Sequence, residues 1–562
     1  MKKFSDIAII GTSVRFPMAE SLDDLDRIYS ERIDCIRDLD EERIRLNGLD
    51  PEEKYSQFGY MNGIDQFDYR FFNISKTEAE CIDPQHRIMM ELACSAIESA
   101  GYSLSSLRGS NTAVIVGAAR SEYYRLFDDE TGYATNGTLI DTLPGRISYF
   151  LDLHGESSVV ATACSSSLYA LYDACVKMSA GVFDTALVGG VMLYFTVYKE
   201  KTKSDDVTTV GLAAEDGRCK AFEDEADGIN IGEGAGFVMI KRYEDAVRDN
   251  DNILAVIKAY GANQDGGRSN SPSAPSVSAQ AELLEKVWRD FEIDPTEIGY
   301  YEAHGTGTRI GDPIEISSMT EAFSHFTEKK QFCPVGSLKS NYSHPGSAAG
   351  VASVIKGILS LNKRKKYPLR TMKCPNRMID FKNSSVYPIA EMEEWTDNKR
   401  VYAVNSFGVS GTNVHIVMEN APERDISSSI SDEYLVTLST KNKEQLSVYR
   451  SKLLEALKED DGKALGDICY VLNNGRDDYT FRTSAVVHDI EELRNFLRSD
   501  ETDELKESEA VFLVSGGLIN GDVIWQTVIL TMLTALSAFF QILSYSAAVS
   551  AHPIQSANFS LR

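Results

Sequence analysis

One cysteine and two histidines stand out by their surroundings. Cys164 closes the run Val159-Val160-Ala161-Thr162-Ala163-Cys164-Ser165-Ser166-Ser167-Leu168, where β-branched residues give way to small ones and then to helical spacing at Leu168, Leu171, Tyr172, Cys175 and Met178. This reads as strand, tight turn and helix, with the thiol on the turn. A free cysteine has a pKa of about 8.5, and the positive end of a helix lowers it, so the position suits a nucleophile. The small neighbours Ala163, Ser165 and Ser166 would let a substrate carbonyl approach the sulfur. Taken alone, the stretch reads equally well as a buried core cysteine.

His304 lies in Glu302-Ala303-His304-Gly305-Thr306-Gly307-Thr308, a strand end entering a glycine-rich turn that would expose the imidazole at the strand's carboxyl edge. His344 lies in Lys339-Ser340-Asn341-Tyr342-Ser343-His344-Pro345-Gly346, ahead of the small-residue helix start Ser347-Ala348-Ala349-Gly350. A last glycine-rich stretch is Asn405-Ser406-Phe407-Gly408-Val409-Ser410-Gly411-Thr412-Asn413. One cysteine and two turn-borne histidines make a nucleophile with two hydrogen-bond donors. His86, His154, His325, His415, His488 and His552 read as structural or surface groups. The stretch 232–236 lacks the spacing of a nucleotide loop and reads as a close-packed turn.

The elements that must position these groups alternate between strand and helix patterns. Strands are expected over 7–10, 113–116, 185–191, 236–240 and 253–259, with another before Glu302. Helices are expected over 21–32, 79–100, 278–291 and 348–361. Alternation of this kind predicts an α/β protein with largely parallel sheets covered by helices. Ile253-Leu254-Ala255-Val256-Ile257 echoes the opening strand, which points to two similar halves. Past a polar linker near Pro422, a strand over 435–438, helices over 443–457 and 490–497 and a strand over 484–487 form a small α/β unit. From Val523 to Leu561 there is no Asp, Glu, Lys or Arg, and 528–543 is apolar for about one membrane crossing. Interspersed Gln, Thr and Ser dilute that pattern, so the segment reads as a tail outside any complete domain, with a transmembrane helix as the alternative.

At 562 residues, with 43% hydrophobic and 25% charged content, the chain has the composition of a soluble multidomain protein. A net charge of −27 argues against nucleic acid as a general partner. The exception is Lys363-Arg364-Lys365-Lys366, a solvated surface loop or a landing place for an acidic partner. Nine scattered cysteines without C-x-x-C or zinc spacing fit a reducing cytoplasm, and no signal-peptide core precedes the first strand.

Taken together these motifs resemble the ketosynthase domain of a modular polyketide synthase, a member of the thiolase-like condensing enzymes. The likeness spans residues 5–422 and includes Asp83-Pro84-Gln85-His86-Arg87, Gly145-Arg146-Ile147-Ser148-Tyr149, and Asp216 to Phe222 running on to Gly232 through Gly236. It implies a duplicated thiolase-like fold of layered sheets and helices, and decarboxylative Claisen condensation of a Cys164-bound acyl chain with a malonyl-type acyl carrier protein. His304, His344 and Lys339 are then catalytic. The backbone N–H groups of Cys164 and Phe407 form the oxyanion hole, Phe407 also gating the pocket, while Thr306, Thr308, Asn341 and Gly408 bind substrate. No metal or cofactor is implied, since substrates ride on the phosphopantetheine arm of the carrier protein. A homodimer and an acyltransferase in cis or in trans are the implied partners.

The resemblance divides the chain into a ketosynthase domain (1–425), a small α/β linker domain (433–510), and a truncated acyltransferase-like start with an uncharged tail (511–562). No G-x-S-x-G serine elbow follows Val511. The chain departs from the family at Ala161, usually Asp, and at Ser343, usually Gly. The alternatives are a non-elongating ketosynthase-like domain, which usually lacks the histidine standing here at His304, a thiolase, which would need a second late cysteine, and a scaffold that only binds carrier proteins.

Overall fold

The computed structural model describes residues 4–127, 132–197, 214–422, 432–457 and 465–499, with strand segments at 503–504, 510–514 and 528–532. Two compact units divide between Asp425 and Ile426.

The first unit is built on a repeated pattern of five strands. β1 (Ile7–Arg15), β2 (Thr112–Ala118), β3 (Ser157–Val160), β4 (Thr185–Met192) and β5 (Gly234–Arg242) stand side by side as β3-β2-β4-β5-β1. The second set is β6 (Ala255–Gln264), β7 (Ile298–Glu302), β8 (Cys333–Gly336) and, after the short β9 (Lys365–Lys366), β10 (Val386–Pro388) and β11 (Glu393–Glu394), β12 (Val401–Phe407) and β13 (Thr412–Glu419). Its order is β8-β7-β12-β13-β6. In chain order both halves read third, second, fourth, fifth, first. The senses also match, since the third and fourth strands flank the second in parallel, and the fifth runs antiparallel to both its neighbours. The first strands, β1 and β6, join the halves in antiparallel register. The echo between them in sequence is thus a structural repeat.

Five of these nine pairings are antiparallel, so the sheet is mixed rather than largely parallel. Strands buried on both faces read as continuous apolar runs in either sense, and periodicity does not separate the two.

Each third strand leads into a helix of the central layer, Ser166–Ser179 after β3 and Ala349–Lys363 after β8. Leu168, Leu171, Cys175 and Met178 share one core with Val351, Val354, Ile355 and Ile358. A second core, with Ile88, Ala93 and Ile97 of helix Pro84–Ser99, covers the outer face of the first half, and a third, with Leu284, Trp288, Ile316 and Phe323, covers that of the second. The expected helix over 79–100 is two helices, Lys76–Cys81 and Pro84–Ser99. Pro84 cannot continue a helix but suits the first position of a new one, and the Asp83 carboxylate caps it by accepting from the Gln85 N–H at 2.8 Å.

The basic run is spoken for within the chain. Lys363 pairs with Asp23, Lys365 with Asp26 and Lys366 with Glu393, at 3.2, 2.8 and 3.5 Å. The edges of the sheet differ: β10 covers β8, whereas β3 ends the sheet with Ser157 exposed and its next three residues half-buried.

In the second unit, β14 (Tyr434–Thr440), β15 (Phe481–Val487) and β16 (Asp503–Glu504) form an antiparallel sheet. Val436, Leu438, Leu446, Cys469 and Leu493 form its core with helices Lys443–Ala456, Leu465–Asn474 and Ile490–Arg498. The helix Leu465–Asn474 was not expected, since Gly466 and Asp467 break its pattern at the start. β17 (Ala510–Val514) pairs with β18 (Val528–Met532), so the candidate membrane crossing opens on a strand, and the rest of the uncharged tail lies outside the described residues. No helix among the described residues is long and apolar enough to cross a membrane.

Candidate active site

Cys164 sits in a single 3-10 turn, Ala163–Ser165, between β3 and the first central helix. Ala163 before it has φ 55°, a left-handed conformation that costs a non-glycine residue free energy and sharpens the turn. The turn is held by its own hydroxyls. Ser165 Oγ donates to the Thr162 carbonyl at 2.9 Å, and Ser166 Oγ to that of Ala163 at 2.6 Å. Ser406 Oγ, at the end of β12, donates to the Cys164 carbonyl at 2.9 Å. The serines are therefore buried scaffolding and not the open approach expected of small residues. Gly408 is needed here for contact: a Cβ would lie 2.4 Å from the Thr162 oxygen and 2.8 Å from Ser165 Oγ.

Burial raises the Cys164 thiol pKa, and this outweighs the Lys339 charge and the N–H groups of Val409 and Cys164 itself, which act the other way. The expected lowering by the helix end does not prevail. The N–H of Val409 acts at the sulfur, whereas that of Phe407 donates to His304 Nδ1 at 3.4 Å. Val409 thus takes the place expected of Phe407. The Phe407 ring is buried 5.8 Å from the His304 ring.

His304 follows β7 by two residues and is partly buried, not displayed at the strand edge. Its own N–H and that of Gly305 donate to the two oxygens of Glu315, each at 2.8 Å, and its carbonyl accepts from Lys339 Nζ at 2.6 Å. Because Nδ1 accepts from Phe407, the neutral ring carries its proton on Nε2. Burial, then the Lys339 charge and His344, hold its pKa well below the usual value.

His344 stands 5.4 Å from His304, ring to ring and edge-on. It is 4% exposed, and neither of its ring nitrogens has a hydrogen-bond partner among the described residues. Burial and the Lys339 charge keep it neutral as well. Its backbone is clamped: the His344 N–H donates to the Asn230 carbonyl and Gly232 N–H to the His344 carbonyl, both at 2.9 Å. Ser343 before it has φ 67° and ψ −165°, a region that is essentially glycine's. At this departure from the family, serine is held in a conformation that favours glycine.

Lys339 is 1% exposed, and burial lowers its pKa while Glu302 and Glu315 support the charge. Glu302 is itself tied down, accepting from Leu338 N–H at 2.6 Å and Lys356 Nζ at 2.7 Å. Thr306 and Thr308 share the glycine-rich turn with hydroxyls 3.3 Å apart, and Thr308 Oγ1 also accepts from Gly311 N–H. Asn341 is not brought to the cluster. Its amide is buried and donates to the Ile28 and Ile33 carbonyls, so it is framework and not a substrate contact. Glu315 and Val409 were missed. Asp312 and Glu315, three apart at the start of helix Gly311–Ser324, were the available signal for the first.

No group of three or more metal-ligating side chains is present among the described residues. The cluster contains a thiol, two neutral imidazoles and a buried ammonium, which suits attack on a thioester and stabilisation of an enolate oxygen.

Comparison with known proteins agrees with this chemistry. Residues 4–246 match the beta-ketoacyl synthase N-terminal domain, 254–372 its C-terminal domain, and 434–497 the CurL-like polyketide synthase C-terminal region. The polyketide synthase PksN of Bacillus subtilis is 36% identical over 88% of the chain, which spans 10% of that protein's length. A ketosynthase from module 6 of the bacillaene synthase of Bacillus subtilis 168 superposes with a TM-score of 0.79 at 35% identity, covering 88% of this chain and 84% of that one. Ketosynthase twelve of the bacillaene synthase of Bacillus amyloliquefaciens gives 0.80 at 32% identity, covering 88% of each. The chain belongs to the beta-ketoacyl synthase family, among the ketosynthases of modular polyketide synthases.

Proposed function

We propose that the chain catalyses decarboxylative Claisen condensation between an acyl group on Cys164 and a malonyl thioester on an acyl carrier protein. The observation that carries this reading is the pair of neutral imidazoles 5.4 Å apart, one with both nitrogens unpartnered although buried. An unsatisfied buried polar ring costs stability and is kept where a ligand completes it.

Cys164 Sγ attacks the acyl thioester, and the carrier's pantetheine thiol leaves with the proton. In the second half-reaction the bond between the malonyl carboxylate and Cα breaks, carbon dioxide departs, and the electron pair enters the enolate. His304 Nε2–H and a ring N–H of His344 donate to its oxygen as charge develops. The enolate carbon then attacks the acyl carbon on Cys164, the N–H groups of Cys164 and Val409 hold the tetrahedral oxyanion, and the thiolate leaves. Lys339 keeps the His304 carbonyl in place and the local field positive. Thr306, Thr308 and the Gly408 backbone are proposed to border the substrate channel.

Residues 1–425 are the catalytic domain in this reading, 433–510 a small α/β linker domain and 511–562 an acyltransferase-like start followed by the uncharged tail. The acyltransferase itself acts in cis or in trans. The edge of β3, uncovered among the described residues, supports a homodimer, and nine free cysteines support a reducing compartment such as the cytoplasm. The test is intact-protein mass after incubation with a panel of acyl carrier thioesters, followed by malonyl carrier protein. An acyl shift on Cys164 and release of an extended product are expected. Acylation without extension would instead establish the non-elongating alternative.

A further inference from the structure

His415 lies on β13 directly opposite Asn405 of β12, and both are buried. Trp288 Nε1 donates to His415 Nε2 at 3.1 Å. An indole N–H only donates, so Nε2 must be the acceptor nitrogen and the neutral ring carries its proton on Nδ1. Nδ1–H then donates to Asn405 Oδ1 at 2.9 Å, with the Val404 carbonyl at 3.2 Å, and Tyr301 OH donates to the same Asn405 oxygen at 3.0 Å. With Oδ1 accepting twice, Asn405 must turn its NH2 the other way, where it donates to Glu315 Oε1 at 3.3 Å. Glu315 thus accepts from Asn405, His304 and Gly305, and each donor in the series finds an acceptor.

We propose that Trp288, His415 and Asn405 form a directed hydrogen-bond relay that keeps Glu315 an acceptor-only carboxylate and so positions His304 for the malonyl half-reaction. The relay crosses from an outer-layer helix through two strands and ends on backbone N–H groups, so these are positioning residues. Glu315 is faced by Asp312 from its own helix, Tyr301 from β7, Lys339 from the turn after β8 and Asn405 from β12. Burial already raises its pKa, and its hydrogen bonds oppose that. Losing the relay donor lets it take a proton at higher pH, which places an O–H against N–H donors and releases the His304 turn.

The inference rests on the role of His304 proposed above, and the test separates the two. Carbon dioxide release from malonyl-pantetheine is measured in a Cys164→Gln background, and acylation of intact Cys164 by mass. If the parent releases no carbon dioxide, the reading of the site falls and the relay with it. Otherwise His415→Phe is expected to slow release about tenfold, the lower end of what supporting partners of a reacting ligand cost, with acylation kept within about twofold. It should also bring an acid limb into the release profile that the parent lacks. His415→Asn, whose amide nitrogen stands where Nδ1 stood, should restore most of the rate. Trp288→Phe should give the same split more weakly, and decides the matter if His415→Phe does not fold. Equal loss of release and acylation, or no advantage of His415→Asn over His415→Phe, overturns the relay.

Discussion

The two halves of the first unit each put one residue of the cluster, Cys164 and His344, at the same topological place, the passage from the third strand into a central helix, and treat it differently, while His304 follows the second strand of its half. In the first half a left-handed Ala163 presents Cys164. In the second, Ser343 at φ 67° presents His344, with Lys339 a turn earlier. Cys164 and His344 are thus each aimed by a strained, non-glycine residue just before them. The geometry was repeated while the chemistry diverged into a nucleophile on one side and buried donors with a cation on the other. In the proposed reaction, the residue types of these paired turns divide the two half-reactions between them.

That division is broken or sharpened most directly by removing each side's group. Cys164→Ala should abolish the acyl mass shift. His304→Ala and His344→Ala should still acylate but lose condensation by about 10²- to 10³-fold, the cost of one preorganised donor. Cys164→Gln should release carbon dioxide from malonyl carrier protein without extending anything. Wild-type condensation by His304→Ala would end the assignment.

Next in size is the seam between the halves. Gly408→Ala drives a methyl to 2.4 Å from the Thr162 oxygen, and should destabilise by about 1–3 kcal/mol and slow acylation. Denaturant unfolding and the acylation rate read both, and an unchanged acylation rate would show that the nucleophile turn does not depend on this contact.

The two half-reactions should also part with pH. The Cys164 thiol is raised, so acylation should climb as pH rises through the alkaline range. Both imidazoles are lowered, so they stay neutral as pH falls through the ordinary histidine value of 6.5, and release should hold its rate there. A release rate that halves between pH 7 and 6 would mean that one of them titrates normally.

The smallest effects come from the strained residues. Ser343→Gly removes strain worth about 1–3 kcal/mol but adds unfolded-state entropy of about 0.4–1 kcal/mol, for a net stabilisation of about 1 kcal/mol. Ala163→Gly should change stability by only a few tenths, since the left-handed α region costs alanine about as much as the added entropy. Denaturant midpoints give both, and a destabilised Ser343→Gly would show that the hydroxyl, 3.4 Å from the Gly217 carbonyl, matters more than the backbone.

The reactive side chains were legible because turn residues and small residues cluster around them locally. In the structure Lys339 donates to the His304 carbonyl, the His304 and His344 rings meet edge-on, and the Lys339 charge acts on the Cys164 thiol. What stayed hidden depends on partners far along the chain. Glu315 acts on His304 through backbone N–H groups, and the N–H of Val409 acts at the Cys164 sulfur while that of Phe407 donates to His304. Asn341 sits inside the His344 motif yet serves residues 28–33, a tie that spacing does not reveal. The duplication left only the faint echo between β1 and β6, because equal strand order needs no equal sequence.

The second half closes its outer edge with its own β10, whereas no strand among the described residues covers β3. If a second copy does so, completeness of the strand that leads to Cys164 becomes a matter of mass action. Specific activity per chain would then rise with protein concentration and level off, and dilution alone would act as an inhibitor. A dilution series with sedimentation at the same concentrations follows this directly, and constant specific activity from a monomer would show that β3 needs no cover.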